Sequence, residues 1–198
     1  MRVDQLLYQI NPNLSDYTRT LREIIRECSQ FLSESKGLPV FRPLPSLYED
    51  IQKVKVRKHR NRTRFSKTFN EAFEAEVRDL RQRAIFTNSQ LHEATENMDL
   101  FYVFPINGYK FMYCPEVTHS TNDYQQVFES LFKQFKDDKA EQLIHDLLKF
   151  AYVKDNLNEG IEKKAEIIFY NVPYYYAARV GSFEYTELLS DMSQLSDN

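Results

Sequence analysis

The sequence predicts an α+β fold, and three observations predict it. Apolar residues recur at helical spacing early in the chain, strand-like runs gather late, and one pair of runs reads as an antiparallel hairpin. Segregated elements of this kind favour α+β over a repeating βαβ array. At 198 residues and 23.6 kDa the chain suits one domain with a small appendage, and it is long enough to bury a core without disulfides or metals.

The elements follow in order. Val3, Leu6, Leu7 and Ile10 are spaced as a first helix, which Asn11-Pro12-Asn13 breaks. A second helix starts near Ser15 or Asp16, with Leu21, Ile24, Ile25, Cys28, Phe31 and Leu32 on one face, and Gly37 and Pro39 end it. Residues 1–36 therefore read as an N-terminal helical appendage, and residues 37–198 as the main domain. Leu38, Val40 and Phe41 read as a short strand ending at Arg42, because Pro43 and Pro45 interrupt regular pairing.

Residues 53–64 hold seven Lys or Arg and no acid, and Val54 and Val56 alternate with lysines as on a guarded edge strand. Phe69, Ala72, Phe73, Val77 and Leu80 lie on one face of a further helix, and Ala84–Phe86 form a strand leading to Thr87-Asn88-Ser89. Leu100–Ile106 and Tyr109–Tyr113 are strands around Asn107-Gly108, a strong hairpin signal. Two helices follow, one carrying Tyr124, Val127, Phe128, Leu131, Phe132 and Phe135, the other Ala140, Leu143, Ile144, Leu147, Leu148 and Ala151. Strands Glu166–Tyr170 and Tyr174–Val180 close the fold. After Arg179 come four acids and no base, so the last residues read as a frayed tail.

Composition narrows the function classes. Four glycines, none clustered, exclude a Walker loop or a Rossmann fingerprint. Two cysteines exclude a disulfide framework or a four-cysteine zinc site. His59, His92, His119 and His145 are scattered outside any metal-ligand pattern, so no metal is expected. No GxSxG elbow exists, and Cys28 and Cys114 read as buried structural thiols. No apolar run is long enough to span a membrane, and Met1–Ile10 lacks the features of a secretory signal. With unpaired cysteines, the expectation is a cytoplasmic location, in a host cytoplasm if the protein is viral. The net charge of −3 is not that of a nucleic-acid binder as a whole, but the basic run suits a phosphate-bearing partner or, equally, a solvated loop.

Three separated segments line up in order: Leu38-Pro39-Val40-Phe41-Arg42, then Phe86-Thr87-Asn88-Ser89, then Glu166-Ile167-Ile168-Phe169 with a Pro-Tyr-Tyr strand after it. Between them lie Arg57-Lys58-His59-Arg60, Gln82-Arg83-Ala84-Ile85-Phe86-Thr87 and Phe104-Pro105-Ile106-Asn107-Gly108. Over roughly residues 38–180 this series resembles the ADP-ribosyltransferase-like proteins of bacteriophages and large viruses, with their Arg–Ser–Glu arrangement. The resemblance implies an ADP-ribosyltransferase-like fold of split antiparallel sheets and NAD as cofactor.

It further implies that Arg42 grips a phosphate or ribose oxygen, and that Ser89 with Thr87 holds a ribose or supports the glutamate. Glu166 would be the catalytic acid that stabilises an oxocarbenium-like transition state. Tyr102 and Tyr109 are the rings expected on nicotinamide, and Arg57, Arg60, Arg62 and Arg64 the contacts to phosphate or nucleic acid. A host protein or a nucleic acid would be the acceptor. Lys164 stands where many arginine-type transferases have an acid or glutamine. Other readings stay open: a catalytically inactive module on the same scaffold, binding nucleic acid, nucleotide or a host protein through the basic loop, or a virion or assembly protein.

Overall fold

The computed structural model of the protein describes residues 12–46, 49–56, 63–91 and 96–181. Helix α1 (Pro12–Glu27) begins at a proline, which a first turn accommodates because its missing N–H has no partner to lose there. Cys28 (φ −119°, ψ 17°) separates α1 from α2 (Ser29–Glu34), and Gly37 at φ 75° stops the pair. Leu21, Ile24, Cys28 and Phe31 are buried as the spacing predicts. They share one core with Phe41, Tyr102, Phe104, Phe169 and Tyr176 of the sheet, so the two helices pack directly on it. Phe31 sets its ring edge-on against Phe104 and Phe169, at 6.1 and 5.9 Å. The first predicted helix, over residues 3–10, and the predicted tail after residue 181 lie outside the described residues.

Seven strands form one antiparallel sheet: β1 (Phe41–Pro45), β2 (Ile51–Lys55), β3 (Ile85–Asn88), β4 (Met98–Pro105), β5 (Lys110–Tyr113), β6 (Glu166–Tyr170) and β7 (Tyr174–Arg179). Their order is β2-β7-β4-β1-β3-β6-β5. β1 and β4 pair along their whole shared length, as do β3 and β6, whereas β1 meets β3 at the single pair Phe41↔Asn88. The sheet is thus two blocks, β2-β7-β4-β1 and β3-β6-β5, joined at one rung.

Pro43 and Pro45 stay inside β1, contrary to the expectation that they interrupt pairing. The reason is phase. The Val103 N–H donates to Val40 O at 3.0 Å, so Arg42 and Leu44 carry the ladder to β4. The nitrogens of residues 43 and 45 face away from β4, on the side where β3 has diverged and no donor is needed.

The second face of the β3-β6-β5 block is covered by helices α3 (Arg64–Ala72), α5 (Ser120–Gln134) and α6 (Asp137–Ala151). Phe65, Phe69, Tyr124, Phe128, Ile144 and Leu148 pack there against Met112, Ile168 and Tyr170. The helix expected through Leu80 divides: α3 ends at Ala72, and a four-residue α4 (Leu80–Arg83) follows Asp79, whose φ of 59° breaks the helical path. A short α7 (Leu157–Glu162), unforeseen in the sequence, starts at Asn156, whose side chain accepts from the Glu159 N–H. It packs so closely that a Cβ at Gly160 would sit 2.8 Å from the Tyr113 ring.

The expected Asn107-Gly108 hairpin does not form. β4 pairs with β1 and β7, and β5 pairs with β6. The turn residues serve another purpose. The Asn107 side chain accepts from Gln30 N–H at 2.9 Å and donates to Arg26 O at 3.0 Å, while its own N–H reaches Glu27 O at 2.6 Å. Gly108, at φ 86°, donates to the Gln30 side chain. The loop therefore ties the α1–α2 junction to the sheet.

Candidate functional site

The rung Phe41↔Asn88 continues to Asn88↔Glu166, so Arg42 on β1, Ser89 just past the end of β3 and Glu166 on β6 are carried by neighbouring stretches of the sheet. Two strand spacings, roughly 10 Å, separate the Phe41 and Glu166 backbones. The side chains do not share one hollow.

Arg42 alternates with Phe41, whose ring lies 5.3 Å from Tyr102 in the α1–α2 core. Arg42 therefore points to the opposite face. There it lines a cleft of about 280 Å³ with Leu44, Val54, Lys55, Ala84 and Tyr175. Its guanidinium carbon stands 6.0 Å from the centre of the Tyr175 ring. No hydrogen bond or ion pair engages Arg42 among the described residues, and it is half-buried. The cleft opens where β1 leaves β3, so the split in the sheet creates it.

Glu166 faces the helical layer, in step with Ile168 and Tyr170, and is 6 % exposed. Ser120 N–H, at the start of α5, donates to its Oε2 at 3.2 Å. Arg81 Nη1 donates to Ser120 Oγ at 2.9 Å, and the Arg81 N–H to the Asn70 side chain at 2.7 Å. The Arg81 guanidinium rests among rings, 4.6 Å from Phe86, 5.0 Å from Phe65 and 5.3 Å from Phe69.

Burial pushes the Glu166 carboxyl above its ordinary value, more strongly than the Ser120 donors and the charges of Arg81 and His119 pull it down. Burial likewise pushes Arg81 below its ordinary value despite the facing carboxylate. Desolvation outweighs attraction on both sides. Nearby, burial and the Glu166 charge push Tyr152 well up. In this arrangement Glu166 anchors the positive end of α5 to β6.

The remaining sequence-predicted residues divide as follows. Thr87 Oγ1 donates to Ile167 O at 3.0 Å, fully buried, and Ser89 Oγ donates to Ala165 O at 2.8 Å, so both hydroxyls staple β3 to β6. Tyr102 and Tyr109 belong to the α1–α2 core, away from the Arg42 cleft. Tyr109 packs edge-on against Phe169 at 5.2 Å and donates to Glu34 at 2.6 Å. Tyr109 also borders a separate cavity of about 500 Å³, whose walls include the ion-paired Lys154 and Glu76. The ring beside Arg42 is Tyr175, which the sequence presents only as one of three consecutive tyrosines. Arg81 and Ser120 also escaped the sequence reading. An arginine inside a run of apolar helix positions is the signal that marks the first, and nothing marks the second.

Of the basic run, Arg57, Arg60 and Arg62 lie outside the described residues. Arg64 pairs with Asp137 at 2.8 Å and stacks on Phe132 at 3.5 Å. Lys53 is occupied too: its Nζ sits 3.8 Å above the Tyr174 ring and 3.0 Å from Glu27 Oε2. The hydroxyls of Tyr174 and Tyr176 also donate to that oxygen, at 3.1 and 3.0 Å. Burial opposes the Glu27 charge, but Lys53, Arg26 and the two tyrosines outweigh it and hold the carboxyl down at about 2.

Cys28 and Cys114 are both buried. Cys28 Sγ donates to Phe104 O at 3.5 Å, and Cys114 Sγ accepts from Tyr124 OH at 3.3 Å. Among the described residues no group of three or more His, Cys, Asp or Glu is placed to hold a metal, and no helix is long and apolar enough to cross a membrane. In comparisons with protein-family models, curated proteins and solved structures, nothing matched the chain.

Proposed function

We propose that this protein is a nucleotide-binding module on an ADP-ribosyltransferase-like scaffold, with Arg42 gripping phosphate in the cleft at the split of the sheet. The observation that carries this reading is Arg42 itself: a half-buried guanidinium with no hydrogen-bond or ion-pair partner among the described residues, opening onto a cleft with an aromatic wall. A planar, permanently charged fork suits phosphate oxygens. The cleft volume, at the low end for small-molecule pockets, suits a mononucleotide or one half of a dinucleotide. The engagement of Glu166 with Ser120 favours binding without turnover.

A second reading is NAD-dependent ADP-ribosyl transfer to a host protein or nucleic acid. The row Phe41–Asn88–Glu166, which brings Arg42, Ser89 at the end of β3 and Glu166 to neighbouring stretches of the sheet, favours it. It requires Glu166 to leave Ser120 and turn toward the cleft.

Calorimetric titration with AMP, ADP and NAD⁺, run beside a nicotinamide-release assay, separates the two. The binding reading expects affinity for at least one nucleotide, weakened about tenfold or more by Arg42→Ala, with no nicotinamide released. Nicotinamide release by the native protein, lost in Glu166→Gln, establishes transfer chemistry instead. No nucleotide binding at millimolar ligand sinks both.

A further inference from the structure

At the far end of the sheet from the Arg42 cleft, β5 is an outer strand, and its rim is closed at one rung only. The Tyr113 N–H donates to Val153 O at 3.0 Å, and the Val153 N–H donates to Tyr113 O at 2.8 Å, so residue 113 turns its backbone groups outward. Backbone groups alternate along a strand. Phe111 therefore turns its own outward too, while Lys110 and Met112 bond to β6. The chain that pairs at Tyr113 goes no further along β5: after Val153 it leaves for α7. The N–H and C=O of Phe111 have no hydrogen-bond partner among the described residues.

The cavity of about 500 Å³ lies at this rim, with Lys110 and Phe111 among its lining and the Glu76–Lys154 ion pair in its wall. Glu76 and Lys154 neutralise each other. Gln30 and Tyr109 commit their polar ends to Glu34, at 3.1 and 2.6 Å. Lys110 is exposed and has no hydrogen-bond or ion-pair partner among the described residues. The cavity thus offers a backbone donor, a backbone acceptor and an ammonium side by side.

The last residue of a peptide carries the matching set, an N–H and a carboxylate. We infer that this cavity captures the C-terminus of another protein, ending in an apolar residue. Its last N–H donates to Phe111 O, and one carboxylate oxygen accepts from the Phe111 N–H, repeating the rung that Val153 makes at Tyr113. Lys110 meets the charge. Residues opposed across a rung share a face, so the last side chain lies beside Phe111 and Tyr109, whose ring centres are 6.3 Å apart. Those rings favour an apolar terminal residue. An internal stretch of chain brings no charge to Lys110, and an N-terminus brings the wrong one. This inference is independent of the Arg42 cleft.

The test uses the full chain and a fluorescein-labelled peptide ending in Gly-Val with a free carboxylate, followed by anisotropy. Three probes accompany it: the same peptide amidated at its C-terminus, the same peptide N-methylated at its last residue, and one ending in aspartate. Binding of the free acid is expected, weakened about tenfold or more by amidation or by N-methylation, because each removes a charge-assisted contact or a backbone bond. The peptide ending in aspartate is expected to bind less well than the one ending in valine.

Amide exchange gives a second signature. The Phe111 amide should become protected on peptide addition, while that of Met112, already bonded to β6, should not change. Lys110→Gln should weaken the free acid to the level of the amidated peptide, leave the amidated peptide unaffected, and keep the melting temperature. Should that variant misfold, the amidated peptide on the native chain decides alone. Equal binding of acid and amide, unaltered exchange at Phe111, indifference to Lys110→Gln or to a terminal aspartate, or no binding at millimolar peptide overturns the proposal.

Discussion

The N–H of Ser120 and the carboxylate of Glu166 meet at 3.2 Å in the interior, joining the first residue of α5 to the first residue of β6. Deleting the carboxyl group leaves the buried Ser120 N–H without its acceptor and removes the negative charge that favours the Arg81 cation. Glu166→Ala should therefore cost about 3 kcal/mol, read as a melting temperature lower by about 6–12 °C. Glu166→Gln keeps an acceptor and should cost less. The pH dependence has a definite sign. Burial raises the folded pKa above 4.5, so the contribution of this group is fully present below 4.5 and falls as pH rises through the folded value. The gap between native protein and Gln variant should shift in favour of the variant as pH rises. Thermal melts across pH check both statements, and an unchanged melting temperature for Glu166→Ala would contradict the anchoring role.

Glu27 behaves in the opposite sense. Its carboxyl is held at about 2 against an ordinary 4.5. Its contribution is present above 4.5 and disappears as pH falls from there toward 2. Glu27→Gln should flatten that limb of the stability profile and leave the limb above pH 5 parallel to that of the native protein. Urea melts at stepped pH values measure it.

Asn107 holds the α1–α2 junction through its side chain, with bonds to Gln30 N–H, Arg26 O and Ser29 Oγ. Asn107→Ala should lower stability by about 2 kcal/mol. Exchange of the Gln30 amide should accelerate first, since it loses its acceptor outright.

Gly160 stands where a methyl group would come within 2.8 Å of the Tyr113 ring, a ring that is itself buried. Gly160→Ala should destabilise by about 2 kcal/mol, although alanine is the better helix former. Phe150, 92 % exposed on α6, is the contrasting case: Phe150→Ser should leave the melting temperature nearly unchanged.

Periodicity made the helix faces legible. Leu21, Ile24, Cys28 and Phe31, or Ala140, Ile144 and Leu148, are buried because a 3.6-residue repeat has only one way to face a core. The alternation of Val54 and Val56 with lysines likewise announced an edge strand, and β2 is one. Pairing was not legible. Asn107-Gly108 has hairpin chemistry, yet its neighbours pair elsewhere, because side-chain bonds to α1 and α2 claim the turn. α7 went unseen because six residues are too few to show a period. At the site, strand adjacency brought Arg42, Ser89 at the end of β3 and Glu166 to neighbouring stretches of the sheet, but direction was decided by alternation. Phe41 goes into one core, so Arg42 must face the other way, and Ile168 and Tyr170 carry Glu166 toward the helices. No local signal in the sequence records which side a helix will cover.

One trait of the topology bears on how the molecule is made. Every ladder in the sheet joins stretches that are remote along the chain, and none is closed by a tight turn. Each therefore waits on a large loop closing before it yields any stabilisation, which makes this a slow folder for its size. On the ribosome, β2 and β4 emerge while β7, the strand that lies between them, is still unsynthesised. Nascent protein must spend that interval with adhesive edges showing, and chaperone demand during expression is the practical result.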